Sequence, residues 1–250
     1  MMNVLISGCG GRMGHVVASM LASREDMQAV GGVDLRPCDD CGFSVFSSPE
    51  KVNVPVDVVI DFSNPSALLP LLDYAEANKV PVVLCTTGYN SSQVEALKKA
   101  AKTIPVFYSR NMSLGINLLI ELSKKAEKVL GPDFDVEIIE KHHNQKIDAP
   151  SGTALMIADA VSQARGEDMH YVYDRHSQRK KREPSEIGIH SIRGGTIVGE
   201  HEVMFAGNHE VITISHSAQS KEVFAAGAVN AAAFLAGKAA GLYDMSDLLK

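Results

Sequence analysis

The chain has 250 residues, 45% of them hydrophobic, and its 24 Lys and Arg against 30 Asp and Glu leave a formal net charge of −6. That hydrophobic content excludes a disordered chain and suffices for one large core or two modest ones. The acidic balance excludes nucleic-acid binding through the overall field, so an anionic ligand has to meet a local basic patch.

No apolar run approaches the roughly 18 residues needed to span a bilayer, so no membrane partner is expected and the location read from the chain is cytoplasmic. The four cysteines, Cys9, Cys38, Cys41 and Cys85, are too few and too unevenly placed for a disulfide framework and point to a reducing compartment. Cys38 and Cys41 have the spacing of a redox pair or of half a zinc site. No second pair completes it, so the spacing reads as chance and no metal is expected.

Residues 3–7 read as a buried strand that runs into Gly8, Cys9, Gly10, Gly11, Arg12, Met13 and Gly14, followed by a helix over 15–22. A strand, a glycine turn and a helix let the backbone approach a pyrophosphate at the helix N-terminus. The plain G-x-G-x-x-G spacing is broken, because Met13 stands at the third glycine and Gly14 follows it. A second strand over 29–33 ends at Asp34. That is about 20 residues past the last motif glycine, where a carboxylate accepts hydrogen bonds from an adenosine ribose. Asp34 favours NADH, and Arg36 beside it suits a 2′-phosphate, so NADPH stays open.

Strands over 56–62, 80–85 and 105–108 then alternate with helices over 66–78 and 91–102. This rhythm predicts an α/β fold with a Rossmann-type parallel sheet, covered by helices on both faces and binding its ligand at the carboxyl ends of the strands. Those ends carry Asp61-Phe62-Ser63, Cys85-Thr86-Thr87-Gly88 and Ser109-Arg110-Asn111-Met112, polar loops suited to a nicotinamide and its ribose.

A helix over 114–129 ends at Gly131-Pro132, where a second, α+β domain takes over. The division expected is residues 1–112 plus 222–250 for dinucleotide binding and 113–221 for substrate binding and oligomerisation. In the second domain a strand over 136–139 and a helix over 151–163 precede the basic run at 179–182, read as a solvated loop. Runs at 187–193, 196–205 and 211–217, punctuated by Gly194-Gly195 and Asn208, predict adjacent hairpin strands in a mixed or antiparallel sheet with one face suited to a subunit contact. A helix over 223–235, rich in Ala, returns to the first domain.

Between the 136–139 strand and the 151–163 helix lies the densest chemistry, Glu140-Lys141-His142-His143-Asn144-Gln145-Lys146-Ile147-Asp148-Ala149-Pro150-Ser151-Gly152-Thr153. His142, His143 and Lys146 are proton-transfer groups in front of a helix start that Ser151 or Thr153 can cap and where a carboxylate would bind. Asp148 is suited to orienting Lys146. Adjacent histidines diverge on an extended chain, which argues against a metal there.

With these motifs read, the chain resembles the 4-hydroxy-tetrahydrodipicolinate reductase (dihydrodipicolinate reductase) family over nearly its whole length. The resemblance rests on the glycine turn, on Thr86-Thr87-Gly88, on the His142 to Ala154 segment and on Arg193-Gly194-Gly195 through His201. It implies a homotetrameric reductase of the diaminopimelate route to lysine that uses NADH or NADPH on a cyclic dicarboxylate. It implies His142 and Lys146 as the proton-transfer residues, with His143, Gly152 and Thr153 holding substrate carboxylates. Gly8, Cys9, Gly10, Gly11, Arg12 and Met13 would cover the pyrophosphate, and Cys85, Thr86, Thr87, Ser109, Arg110, Asn111 and Met112 would line the nicotinamide side. Cys85, Met112 and Ser220-Lys221 depart from the family's usual residues, and Lys221 puts a point charge where a planar fork is common. Two other classes fit the dinucleotide motif: a semialdehyde dehydrogenase with Cys85 as nucleophile, and a dinucleotide sensor without turnover.

Overall fold

Two sheets organise the chain, one in each of two compact units, Met1–Ser113 with Glu222–Lys250 and Leu114–Lys221. The structure, a computed structural model, describes residues 1–36, 38 and 40–250; Asp39, within the Cys38 to Cys41 spacing, lies outside the described residues.

The first unit runs β1 (Met2–Ser7), α1 (Arg12–Ala22), β2 (Met27–Val33), β3 (Ser44–Phe46), β4 (Val58–Asp61), α2 (Leu68–Asn78), β5 (Val82–Leu84), α3 (Ser91–Ala100) and β6 (Pro105–Tyr108). The second holds α4 (Leu114–Leu130), β7 (Asp135–His142), α5 (Gly152–Arg165), β8 (His170–Val172), β9 (Glu186–Arg193), β10 (Gly199–Ala206) and β11 (Val211–Ala218). The chain then returns to the first unit with α6 (Glu222–Leu235), β12 (Gly241–Tyr243) and α7 (Met245–Leu248).

The first sheet has the order β12-β6-β5-β4-β1-β2-β3 and every pairing in it is parallel. Strands β4 and β5 are buried at every position, as strands covered by helices on both faces must be. Leu5, Leu71, Leu84, Leu97 and Val106 share one core cluster, and each such buried side chain contributes about 1.5–3 kcal/mol. The strand order reverses between β1 and β4, which sets the loops after these two strands side by side. Helix α1 begins at Arg12, earlier than its expected start, because Gly11 serves as the N-cap and Arg12 and Met13 are good helix formers. Strands β3 and β12, three residues each at the two edges of the sheet, are too short to leave a periodic signal.

The second sheet is mixed, in the order β11-β10-β7-β9-β8. The expected hairpin across Gly194-Gly195 does not form. Strand β7 lies between β9 and β10, parallel to the first and antiparallel to the second. The reason is β7 itself, which alternates half-buried and buried over eight residues and runs on to His142, past the expected end at 139. Its inward residues Val136 and Ile138 need a partner strand on each side and find Ile187 and Ile189 on β9 and Val203 and Phe205 on β10. The connection from β9 to β10 therefore crosses the end of β7, where the Gly194 amide donates to the His142 carbonyl at 2.9 Å and the Asn144 amide donates to the Gly195 carbonyl at 3.2 Å.

The 179–182 run is more than a solvated loop. Arg182, 16% exposed at its side chain, bonds Asp135 and Glu137 of β7 and the backbone carbonyls of Val136 and Glu186. A second clamp joins the helices on the sheet: Arg165 at the end of α5 donates to both carboxylate oxygens of Glu127 on α4, at 2.5 and 3.1 Å, with 5% and 1% of the two side chains exposed. Replacing one partner strands the other charge in the interior. Glu127→Gln should cost about 3–5 kcal/mol of stability, read as a lowered urea midpoint; a shift under about 1 kcal/mol would show that the pair is solvated.

Candidate active site

Glu140 sits on the inward face of β7 and is fully buried. Arg193, its near neighbour on parallel β9, grips it with two bonds, Nη2 to Oε1 at 2.7 Å and Nη1 to Oε2 at 2.8 Å. The Ser151 amide donates to Oε1 at 3.1 Å, and His142 Nδ1 lies 2.6 Å from Oε2. Burial alone would raise the Glu140 carboxyl, but Arg193 and then His142 bring it down to about 2, so it is a carboxylate at neutral pH.

His142 is held by that carboxylate. Burial lowers its proton affinity more than Glu140 restores it, so the imidazole is neutral at pH 7, with Nδ1–H donated to Glu140 and Nε2 left as an acceptor. His201, at the start of β10, meets it edge to face with ring centroids 5.2 Å apart. The Ser151 hydroxyl, the N-cap of α5, accepts from the Ala154 amide at 3.1 Å and is hydrogen-bonded to His201 Nε2, also 3.1 Å away, in the direction set by the His201 tautomer. Of the two possible caps Ser151 is the one used.

The loop from β7 to α5 carries the remaining residues. His143 is half-buried beside buried His142. Lys146 Nζ is 2.9 Å from Asp148 Oδ1, and this bond above all lowers the Asp148 carboxyl. The Asp148 carbonyl accepts from Arg193 Nη2 at 2.6 Å, so the guanidinium that fixes Glu140 also fixes the loop. Gly152 and Thr153 open the first turn of α5. One end of the second unit thus brings together His142, His143, Lys146, Gly152 and Thr153 with Glu140, Arg193 and His201, three residues to which the sequence reading assigned no individual role. Only the i, i+2 spacing of Glu140 and His142 on a strand face signalled Glu140; Arg193 and His201 are more than 50 positions away.

In the first unit Gly8 adopts a φ of +79°, and a Cβ there would come within 2.6 Å of the Phe62 carbonyl after β4. Gly14 takes the close-packing part of the third motif glycine one residue late, since a Cβ on it would strike the Gly8 carbonyl and lie 2.6 Å from Cys9 Cα. Gly11 caps α1 without a side-chain bond, and the first amides of the helix, next to Gly10, Arg12 and Met13, could hold an anionic group. Asp34 accepts from the Gly10 amide at 3.1 Å and the Arg36 amide at 3.0 Å, which aims its carboxylate at this turn.

Two further loops frame the strand ends. Buried Asp61, which the sequence placed in a strand-end loop, accepts from Thr86 Oγ1 at 2.7 Å and Ser63 Oγ at 2.5 Å, while Thr87 is exposed. Ser109 and Asn111 close their own turn through Ser109 Oγ to the Asn111 carbonyl at 2.9 Å; Met112 is buried and Arg110 exposed. Burial, followed by the charge of Asp61, pushes the Cys85 thiol well above its usual value, which leaves it a poor nucleophile and removes the footing of the semialdehyde dehydrogenase reading.

The family models described as Dihydrodipicolinate reductase, N-terminus and C-terminus match residues 2–112 and 115–249. The chain belongs to the dihydrodipicolinate reductase family. A 4-hydroxy-tetrahydrodipicolinate reductase of Caldanaerobacter subterraneus subsp. tengcongensis is 54% identical, covering 100% of this chain and 99% of that one, and one of Clostridium tetani is 47% identical, covering 100% and 97%. The dipicolinate-bound dihydrodipicolinate reductase from Paenisporosarcina sp. TG-14 superposes with a TM-score of 0.82 at 25% identity, over 98% of this chain and 97% of that one. Among the described residues no helix is long and apolar enough to cross a membrane.

His201 makes the family site acid-sensitive. Burial, then the charge of His142, lowers it from its ordinary 6.5 to about 3. Below pH 6.5 the unfolded chain takes up a proton here that the folded chain refuses until about pH 3, so stability falls as pH drops through this window. The urea midpoint should decline between about pH 6.5 and 5 by the equivalent of about 1–2 kcal/mol, and His201→Gln should flatten part of that slope. An unchanged slope in the variant would place the proton uptake elsewhere.

Proposed function

We propose that the chain reduces 4-hydroxy-tetrahydrodipicolinate to tetrahydrodipicolinate with NADH or NADPH, a step on the diaminopimelate route to lysine. One observation carries the reading: a member of this reductase family holds neutral His142, His143 and Lys146 around a buried Glu140–Arg193 pair, in front of the first turn of α5. In this reading Met1–Ser113 with Glu222–Lys250 is the dinucleotide-binding unit and Leu114–Lys221 the substrate-binding and oligomerising one.

Bound NAD(P)H supplies the hydride. Asp34 accepts the ribose hydroxyls, the glycine turn from Gly8 to Met13 covers the pyrophosphate, and Cys85, Thr86 and Thr87 with Ser109, Arg110, Asn111 and Met112 line the nicotinamide side. The substrate is a cyclic dicarboxylate, and His143 with the Gly152 and Thr153 amides holds its carboxylates at the positive end of α5. Loss of the 4-hydroxyl with a neighbouring ring proton, as water, gives a carbon–carbon double bond conjugated with the ring imine; hydride addition to it leaves an enamine that needs a proton. His142, neutral with its Nδ1–H tied to Glu140, is in the wrong state to give one. Lys146, positioned by Asp148, donates it, and His142 orients the substrate by accepting at Nε2. A sensor without turnover gives no use for this set.

The protein acts in the cytoplasm as a homotetramer in this reading. The family supports the assembly, and so do Val211 and Ile212, 58% and 36% exposed on the outer strand β11 of the second sheet.

The direct test follows reduced-nicotinamide absorbance when purified protein meets freshly generated 4-hydroxy-tetrahydrodipicolinate, with NADH and NADPH in parallel. Oxidation of either is expected; none, in protein that binds the dinucleotide, returns the sensor reading. Lys146→Ala should lower kcat by about 10²–10⁴-fold, and near-normal turnover would remove Lys146 as the donor. Asp34→Ala should chiefly raise the KM for NADH, whereas a pure kcat effect would take Asp34 out of the ribose site.

A further inference from the structure

Outside the machinery of the reduction, the first unit gathers four side chains that the proposed reaction does not use. His15, in the first turns of α1, meets Cys38, Asp40 and Cys41 from the loop after β2, and one donor atom from each lies within 4.8 Å of all the others. Cys38 Sγ is 3.4 Å from Asp40 Oδ1, Cys41 is buried with its sulfur 3.8 Å from the Cys9 carbonyl, and the two sulfurs are joined as a disulfide. The other cysteines, Cys9 and Cys85, are free and buried and take no part in the cluster.

A disulfide accounts for the two sulfurs and leaves the convergence of an imidazole and a carboxylate on them without a purpose. Two thiolates at C-x-x-C spacing, one imidazole and one carboxylate are together the donor set of a tetrahedral zinc-class site. Ligand distances of about 2.0–2.3 Å place the donors of such a site roughly 3.3–3.8 Å apart, so once the disulfide opens the two sulfurs have to separate to about that spacing, while donors as far as 4.8 Å apart close in by about 1–1.5 Å. The half-site visible in the sequence lacked a second pair, and the fold supplies it from His15, 23 positions before Cys38 in the chain, and from Asp40.

We propose that in the dithiol state His15, Cys38, Asp40 and Cys41 bind one thiophilic divalent cation of the zinc class, tying the loop after β2 to helix α1. The chemistry balances with a thiol reductant. Two electrons and two protons pass from the reductant to the disulfide, which opens to two thiols while the reductant forms its own disulfide. The incoming cation then forms two metal–sulfur bonds and releases the two thiol protons to solvent. The proposal stands apart from the reductase reading, because its test reads metal binding and uses no substrate.

The experiment titrates Co²⁺ into the full-length reduced, chelator-stripped protein under anaerobic conditions, reads the visible absorption of tetrahedral thiolate-bound cobalt, and then displaces it with Zn²⁺. Saturation at one Co²⁺ per chain is expected. The air-oxidised protein should bind none and serves as a control of identical sequence and fold. Cys38→Ser with Cys41→Ser should abolish the band, and His15→Ala should weaken binding at least about tenfold, a loss that even outer-shell partners of a metal can produce. A reduced protein without the band leaves a plain redox pair and overturns the proposal. So does a band that survives the double Cys substitution, or unchanged affinity in His15→Ala.

Discussion

A fully buried carboxylate organises the second unit. Left alone, Glu140 would cost several kcal/mol of desolvation and would take up a proton. It remains charged because the planar fork of Arg193 satisfies both its oxygens, while the Ser151 amide and His142 complete its shell. Each of those partners is thereby fixed in turn: the imidazole in one tautomer, the start of α5 at the end of β7, and the Asp148 carbonyl against the same guanidinium. The side chains facing the proposed substrate are therefore held by groups that never need to touch it.

That shell exists because of strand order. Had β9 and β10 paired as a hairpin, Arg193 and His201 would lie on neighbouring strands with β7 to one side. With β7 between them, the carboxyl ends of β7 and β9 and the amino end of β10 meet at one edge of the sheet. Strand β7 contributes Glu140 and His142, β9 contributes Arg193 and β10 contributes His201, and the glycine-containing crossing over the end of β7 holds them by hydrogen bonds to His142 and Asn144.

The first unit solves a different problem, bringing backbone close to an anionic ligand. The reversal between β1 and β4 puts the Gly8 turn against Phe62, and Gly14 lets α1 start in contact with that turn. Asp34 points its carboxylate at the same turn through the Gly10 and Arg36 amides. Buried Asp61 organises the neighbouring loop and, with burial, keeps Cys85 a thiol. Electrostatics here position and protect, and nothing at these strand ends is set up for nucleophilic attack.

Local chain chemistry determined much of this in advance. The strand, glycine turn and helix, the alternation that makes a parallel sheet, the break at Gly131 and the stretch from His142 to Thr153 were all legible in the sequence, because each depends on neighbours a few residues apart. Only the tertiary structure decided the rest. It extended β7 to His142, placed β7 between β9 and β10, and brought Arg193 and His201 to Glu140 across more than 50 residues of chain. It also set His15 beside Cys38 and Cys41. Pairing partners and salt bridges between distant strands are chosen by which faces can be buried together, and that choice leaves no periodic mark on the sequence around any one of the residues involved.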